Sequence, residues 1–196
     1  MHFGSATSQV AILPTGNNGL DAVRETLRQM VRIVRRYRQD ATTVMAARTI
    51  LNQCGIGDSR TQRLAAISCL QRWVRDNIVY TSDPRDVEML QTPPQTLKIR
   101  RGDCDDKSIL IAALLEAIGF HTEFLAVGGN GPGWGHNTPP GTRPPYSHVL
   151  AAVQYGGKTG RLPPFLDGWM VLETIVPGAG PGYMPLGVRV IMPARV

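Results

Sequence analysis

Arg100-Arg101-Gly102-Asp103-Cys104-Asp105-Asp106-Lys107-Ser108, continued by the apolar run Ile109–Ile118 and closed by Gly119, decides how this chain folds. It reads as a tight turn feeding a buried helix, with a cysteine at the first helical position. Asp103 suits the N-cap, where a carboxylate accepts bonds from first-turn amides that have no partner inside the helix. Asp106, three residues on, stands where a capping box puts its second acidic member, although Glu or Gln is usual there. Gly119 is a natural stop just past the end. Ile109, Leu110, Ile111, Leu114, Leu115 and Ile118 leave Glu116 as the strongly polar exception, so the helix is apolar almost all round and belongs in a core. A sulfur at its start feels the positive end of the helix dipole and nearby amides, which favour the thiolate. Arg100, Arg101 and Lys107 act in the same sense; Asp103, Asp105 and Asp106 act against it. Residue order alone leaves that sign open. By itself, a cysteine on a core helix is more often a small inert hydrophobe, so its partners decide the matter.

The 196 residues, 42% of them hydrophobic, suffice for one sizeable core with a helical appendage. Helical periodicity fills the first half and strand-like runs the second, which points to an α+β fold. Three cysteines at 54, 69 and 104 form an odd, scattered set without a CxxC pair. That spacing suggests neither a disulfide framework nor a zinc site, and suits a reducing compartment. The first sixteen residues carry neither a basic region nor a long apolar run, so no secretion signal is visible. No apolar stretch reaches membrane-spanning length. The expected protein is soluble, cytoplasmic or virion-associated, with no membrane partner.

Residues 1–20 end in a Pro/Gly/Asn turn cluster and are expected as an extended arm. From Asp21 to Gln39, Val23, Leu27, Met30, Val31, Val34 and Tyr37 recur at helical spacing, with six arginines among the other positions. A basic amphipathic helix can bind nucleic acid, but without interleaved aromatics it is more often a solvated face, so nucleic acid is disfavoured as a partner. A second helix is expected over Thr42–Cys54. A third should start near Asp58-Ser59 with Leu64, Ile67, Leu70, Trp73, Val74 and Ile78 on its buried stripe, making 21–79 a helical segment. Cys54 and Cys69 fall inside these patterns as core cysteines. Residues 80–196 would then be a second segment, compact with the helices as one domain. Glu88–Leu97 reads as an irregular, Pro-stiffened approach to the cysteine turn that can pass close to the helix start, where Gln91, Gln95 or the earlier Tyr80 could offer a side-chain donor.

Thr122–Val127 is a β-prone run. Gly128–Tyr146 follows, a Gly/Pro-rich stretch long enough to be a functional flap; Trp134 and His136 in it, with Trp169 beyond, are candidate substrate contacts. Ser147–Tyr155 is the next strand, opened by His148. Trp169–Val176 is another, with Glu173 mid-strand between Val171 and Ile175 on one face. A carboxylate in that setting needs a partner. Cys104 at a helix start, His148 at a strand start and Glu173 on a strand supply the parts of an activated thiol. The imidazole takes the thiol proton, and the carboxylate fixes its tautomer from the other ring nitrogen.

Gly102–Phe120 (GDCDDKSILIAALLEAIGF), the SHVLAAV strand and the W-x-x-L-E-T strand resemble the transglutaminase-like superfamily over about Ile78 to Gly187. The resemblance is closest to phage-associated members, carried by Tyr80, Asp83-Pro84, Leu90–Pro93 and Pro185–Gly187. It implies an α+β, papain-like core, with a central cysteine-bearing helix on an antiparallel sheet, preceded by N-terminal helices. It also implies a catalytic Cys104–His148–Glu173 triad. Two departures stand out. The family usually has Asp followed by Pro where this chain has Glu173 and Thr174, and Val149-Leu150 replace the aromatic that often follows the histidine. The expected activity is cysteine-dependent acyl transfer on amide bonds of a protein or peptide, as peptidase, amidase or transglutaminase. The Cys104 backbone amide would be one oxyanion donor, with Gln91, Gln95 or Tyr80 as the second. No cofactor is called for, and Asp103, Asp105 and Asp106 lack EF-hand spacing, so no metal is assigned. The alternative is a phage-type structural or assembly protein that keeps the fold with little or no activity, partnered by phage structural proteins.

Overall fold

The computed structural model describes residues 10–13, 20–84, 87–129, 146–156 and 168–196. Three helices lead: α1 (Leu20–Tyr37), α2 (Ala41–Gln53) and α3 (Arg63–Asn77). A four-residue strand, β1 (Val10–Leu13), precedes them and pairs antiparallel with β3 (Glu88–Gln91), which sets these four residues next to the approach to the cysteine. The short β2 (Val79–Tyr80) runs parallel to β4 (Arg101–Gly102). Between β3 and β4 lies α4 (Pro93–Ile99), and after β4 comes α5 (Cys104–Glu116). β5 (Thr122–Gly129), β6 (His148–Gln154), β7 (Trp169–Leu172) and β8 (Val188–Arg195) form an antiparallel sheet in the order β7-β6-β5-β8.

Helix α5 lies at the centre, as its all-round apolarity requires. Residues 105–116 are all buried, and α5 packs on β6 and against α1, α3 and α4. One core runs from Leu27 and Met30 of α1 through Ile67 and Leu70 of α3 to Leu172 of β7. Within β6 the alternation is clean. Ala151 and Val153 face that core, while Leu150 and Ala152 join Leu125, Val127 and Val171 on the opposite side of the sheet. No helix among the described residues is long and apolar enough to cross a membrane.

Several expectations are corrected. Cys54 and Cys69 are not separate core thiols; they form a disulfide. Gly55, with φ of 72°, turns the chain so that α3 returns along α2, which brings the two Cα atoms to 6.4 Å. Cys54 is exposed, and only Cys69 is buried. Spacing read along the chain could not foresee a pairing made by a helical hairpin. Helix α3 starts at Arg63 rather than near Asp58, because the Asp58 carboxylate caps a preceding turn by accepting from the Arg60 amide at 2.9 Å. Leu64 is consequently 47% exposed and off the buried stripe. Residues 88–97 are not irregular, since they hold β3 and the start of α4. Pro93 and Pro94 occupy the first helical positions, where the missing amides have no intrahelical acceptor, so they open this helix rather than break it.

Candidate active site

The start of α5 is held from both sides. The Asp103 carboxylate accepts from the Asp105 and Asp106 amides at 3.0 and 3.1 Å, the expected cap. Asp106 answers as the box's acidic member, its carboxylate receiving the Asp103 amide. It also accepts the Gln91 amide at 2.7 Å and the Gln91 Nε2 at 2.6 Å. Gly102 has to be glycine here: a Cβ built on it would lie 2.5 Å from the Asp106 Cβ. Arg100, at φ 58°, is the left-handed residue that ends α4 and turns the chain into β4. One turn into α5, Lys107 is buried with its Nζ donating to the carbonyls of Ile78 (2.7 Å) and Arg75 (3.3 Å) at the end of α3. Burial pulls that ammonium down to about 8, against the opposing charges of Glu173 and Asp76.

His148 opens β6, and Ser108 Oγ donates to the neighbouring Val149 carbonyl at 3.1 Å, fastening that end of the strand to α5. Glu173 lies just past the end of β7, not within it. The last β6–β7 pair is Ala151 with Leu172, so one further step would set Glu173 opposite Leu150, on the face His148 shares. From there the carboxylate reaches diagonally, and Glu173 Oε2 and His148 Nε2 are 2.9 Å apart. Its other oxygen accepts from the Ile175 and Val176 amides, and Gln71 Nε2 donates to the Glu173 carbonyl at 2.8 Å. Glu173 is 0% exposed. Burial works to raise its pKa, but the His148 hydrogen bond and charge and the two amides outweigh it and hold the carboxyl below the usual range.

Cys104, Ser147 and His148 line two cavities at once. The larger, about 430 Å³, is completed by Tyr80, Glu173, Ile175, Val176, Tyr183, Pro185 and Leu186. The smaller, about 200 Å³, includes Glu88, Asp103 and Asp105 together with Val23, Thr26 and Leu27 of α1. The Val149 amide, next along from His148, interacts with the sulfur. Burial first, then the carboxylates of Asp105 and Asp103, push the Cys104 thiol well up, against the pull of that amide. The sulfur lies 3.4 Å from Asp105 Oδ1, in donating geometry. Asp105 is itself pushed well above the carboxylate range by burial, by the charges of Asp103 and Glu88, and by a hydrogen bond with Glu88.

The other expected site residues are placed as follows. Tyr80 is set beside Gly102 by the parallel β2–β4 pair and reaches the larger cavity. Burial raises its phenol, so the hydroxyl stays a donor at neutral pH. Gln91 is occupied with Asp106 and with the Arg101 carbonyl, and neither Gln91 nor Gln95 lines either cavity. Trp169 pairs with Gln154 at the far end of β7 and lines neither cavity. Trp134 and His136 lie outside the described residues.

Sequence reasoning missed Asp83 and Glu88. With Asp103 they bring one carboxylate oxygen each to within 4.8 Å of one another, the one group among the described residues that could hold a metal ion. Glu88 opens the segment read as irregular and Asp83 lies in the exit from the third helix, so neither stood on a periodic pattern. The apolar wall of Ile175, Val176 and Tyr183 was missed too, because the chain there follows turns and offers no periodicity.

No curated protein matches the chain. Its structure is similar to that of a cysteine protease candidate from Cytophaga hutchinsonii, at 14% identity and a TM-score of 0.47, over 86% of this chain and 56% of that one. It is also similar to a protease candidate from Parabacteroides distasonis, at 15% identity and a TM-score of 0.43, over 66% of this chain and 24% of that one. This chain thus spans less than two thirds of either neighbour. The family model described as "Transglutaminase-like superfamily" matches residues 54–173, more than half of the sequence and a span holding Cys104, His148 and Glu173, and this chain belongs to that superfamily.

Proposed function

We propose that the chain is a cysteine-dependent acyl-transfer enzyme acting on amide bonds of a protein or peptide, with Cys104 as nucleophile, His148 as general base and acid, and Glu173 as orienting carboxylate. The observation that carries this reading is the 2.9 Å contact between Glu173 Oε2 and His148 Nε2 beside a cavity onto which Cys104 also opens. Glu173 takes Nε2, so Nδ1 is the nitrogen for the thiol proton. Because the resting thiol is pushed up and directed at Asp105, it attacks as a thiol deprotonated by His148 during the step, not as a standing thiolate. Sulfur bonds to the amide carbon, and the carbonyl oxygen becomes an oxyanion. In this reading the Cys104 amide, which the Asp103 cap does not take, and the Tyr80 hydroxyl, which lines the same cavity, donate to it. His148 returns the proton to the departing amine. The thioester is then released to water or to a second amine.

The test uses a pool of blocked peptides plus a fluorescent primary amine, with products read by mass spectrometry. Wild type should cleave or label members of the pool, Cys104→Ala should do neither, and His148→Ala should fall by about 10²–10⁴-fold. Turnover that persists in Cys104→Ala, or none from wild type, overturns the reading. The raised thiol is also the observation that favours the second reading, a phage-type assembly protein with a dormant site; absence of turnover with the fold intact is its expected result.

A further inference from the structure

The cleft changes character at the sulfur. On one side it runs to Glu88, Asp103 and Asp105, and on the other to a wall of Ile175, Val176, Tyr183, Pro185 and Leu186. Among the described residues Glu173 is the one carboxylate of this second arm, and both its oxygens are taken, by His148 and by the two amides. Among the described residues, neither lysine nor arginine lines the arm. Tyr80, Tyr183 and Leu186, at 50%, 38% and 87% exposure, are three of the eight large exposed hydrophobics among the described residues, and all three meet here. Exposed apolar side chains gathered at one cavity mark a binding surface more often than scattered ones do.

The wall is also built to keep its shape. The segment after β7 doubles back, and the Gly182 amide donates to the Val171 carbonyl at 2.8 Å. Arg75 of α3 donates from Nη1 to the Ala179 carbonyl at 2.7 Å, and Ala179 is buried. A pocket of about 430 Å³ held in this way falls within the range of preformed ligand sites.

We propose that this arm takes a bulky apolar side chain on the acyl side of the amide that Cys104 attacks, with Tyr183 and Leu186 setting that preference. The acyl side is assigned because Tyr80, the hydroxyl placed for the oxyanion, lines this arm and not the acidic one, so the carbonyl end of the amide points here. An ionised side chain would find no free counter-charge among the described residues of this arm and would lose its hydration. The inference rests on the acyl-transfer reading above.

Dipeptidyl chloromethyl ketones test it, with each of the two residues varied in turn among Phe, Leu, Gly, Lys and Glu. The thiol displaces chloride to form a thioether, and mass spectrometry locates the label. Iodoacetamide at about pH 9, above the ordinary thiol range, serves as the reference for bare thiol reactivity. Phe or Leu at one position should label Cys104 about ten- to a hundredfold faster than Gly or Glu. Leu186→Ala and Tyr183→Ala, which add no charge, should erase most of that ratio once each rate is divided by the variant's own iodoacetamide rate. A flat ranking, or one led by Lys or Glu, with iodoacetamide labelling intact, overturns the subsite and spares the thiol chemistry. Cys104 inert to both reagents overturns the two together.

Discussion

Two side chains can be tested one at a time. Cys104 carries the first prediction, because burial and two neighbouring carboxylates oppose its ionisation while a helix start and one amide favour it, and the opposing side wins. The iodoacetamide rate should therefore climb only above the ordinary thiol value of about 8.5, and Asp105→Asn should bring that limb to lower pH. A wild-type limb at pH 6 to 7 would show that His148 holds the thiol as an ion pair at rest. Glu173 carries the second. Its reach to His148 starts just beyond a strand end, and Glu173→Asp withdraws one methylene from a 2.9 Å contact. The family's usual residue should thus be the worse one in this backbone, with turnover down by about tenfold or more and Glu173→Gln lower still, since an amide offers no charge to an imidazolium. Equal rates for Asp and Glu, measured on one cleaved peptide, would mean that the backbone after β7 adjusts freely.

Among the elements, two features support the start of α5 and the helices behind it. Gly102→Ala drives a methyl group into Asp106 at a separation no Cβ tolerates, and Asp106 is itself bonded to Gln91 of β3. We expect a loss of about 1–3 kcal/mol in urea unfolding. The Cys54–Cys69 link closes a loop with a sequence separation of 15, for which chain entropy gives about 3 kcal/mol. Cys54→Ala removes the link at its exposed end without opening a core cavity, so a melting temperature lower by several degrees isolates the link's own effect. These two features also show how far sequence reading carries. Helix α5 was legible with its cap, because carboxylate, apolar run and terminal glycine all speak within twenty residues. Strands β5 and β6 were legible as short β-prone runs bounded by glycines, Glu173 stood out as a carboxylate between apolar neighbours, and His148 as the residue that opens its strand. What escaped was set by packing: a disulfide across a hairpin, prolines that open a helix, and carboxylates contributed by a segment without periodicity. The end of β7 escaped for a related reason, since Leu172 to Thr174 stay buried while the pairing stops.

At the scale of the whole molecule, the carboxyl groups around α5 set how stability responds to pH. Burial, aided by the charges of Asp83 and Glu88, raises Asp103 to about 6; burial and the charge of Asp103 raise Asp106 to about 7. A raised folded-state value means that the native protein binds protons the unfolded chain does not, between about pH 4 and 7. Stability must therefore rise as pH falls through 7 and 6, the reverse of the usual carboxylate case. Two other groups bound that window. Glu173, held below its ordinary value, contributes stability above about pH 4.5 that is lost as pH drops through its folded-state value. Lys107, lowered to about 8, adds stability only as pH climbs from there toward its unfolded value of about 10.5. The formal net charge of +6 opposes the acid-side gain, since protonation adds positive charge. That repulsion acts across a screened surface with a Debye length of about 8 Å, whereas one oxygen each of Asp83, Glu88 and Asp103 lies within 4.8 Å. The local effect wins, and the melting temperature should be higher at pH 5.5 than at pH 7.5. Asp103→Asn keeps an N-cap of equal quality and removes the charge, so it should flatten that slope. A melting temperature that falls between pH 7.5 and 5.5 in wild type, or a slope unchanged in Asp103→Asn, would show that these carboxyls are solvated in the native protein.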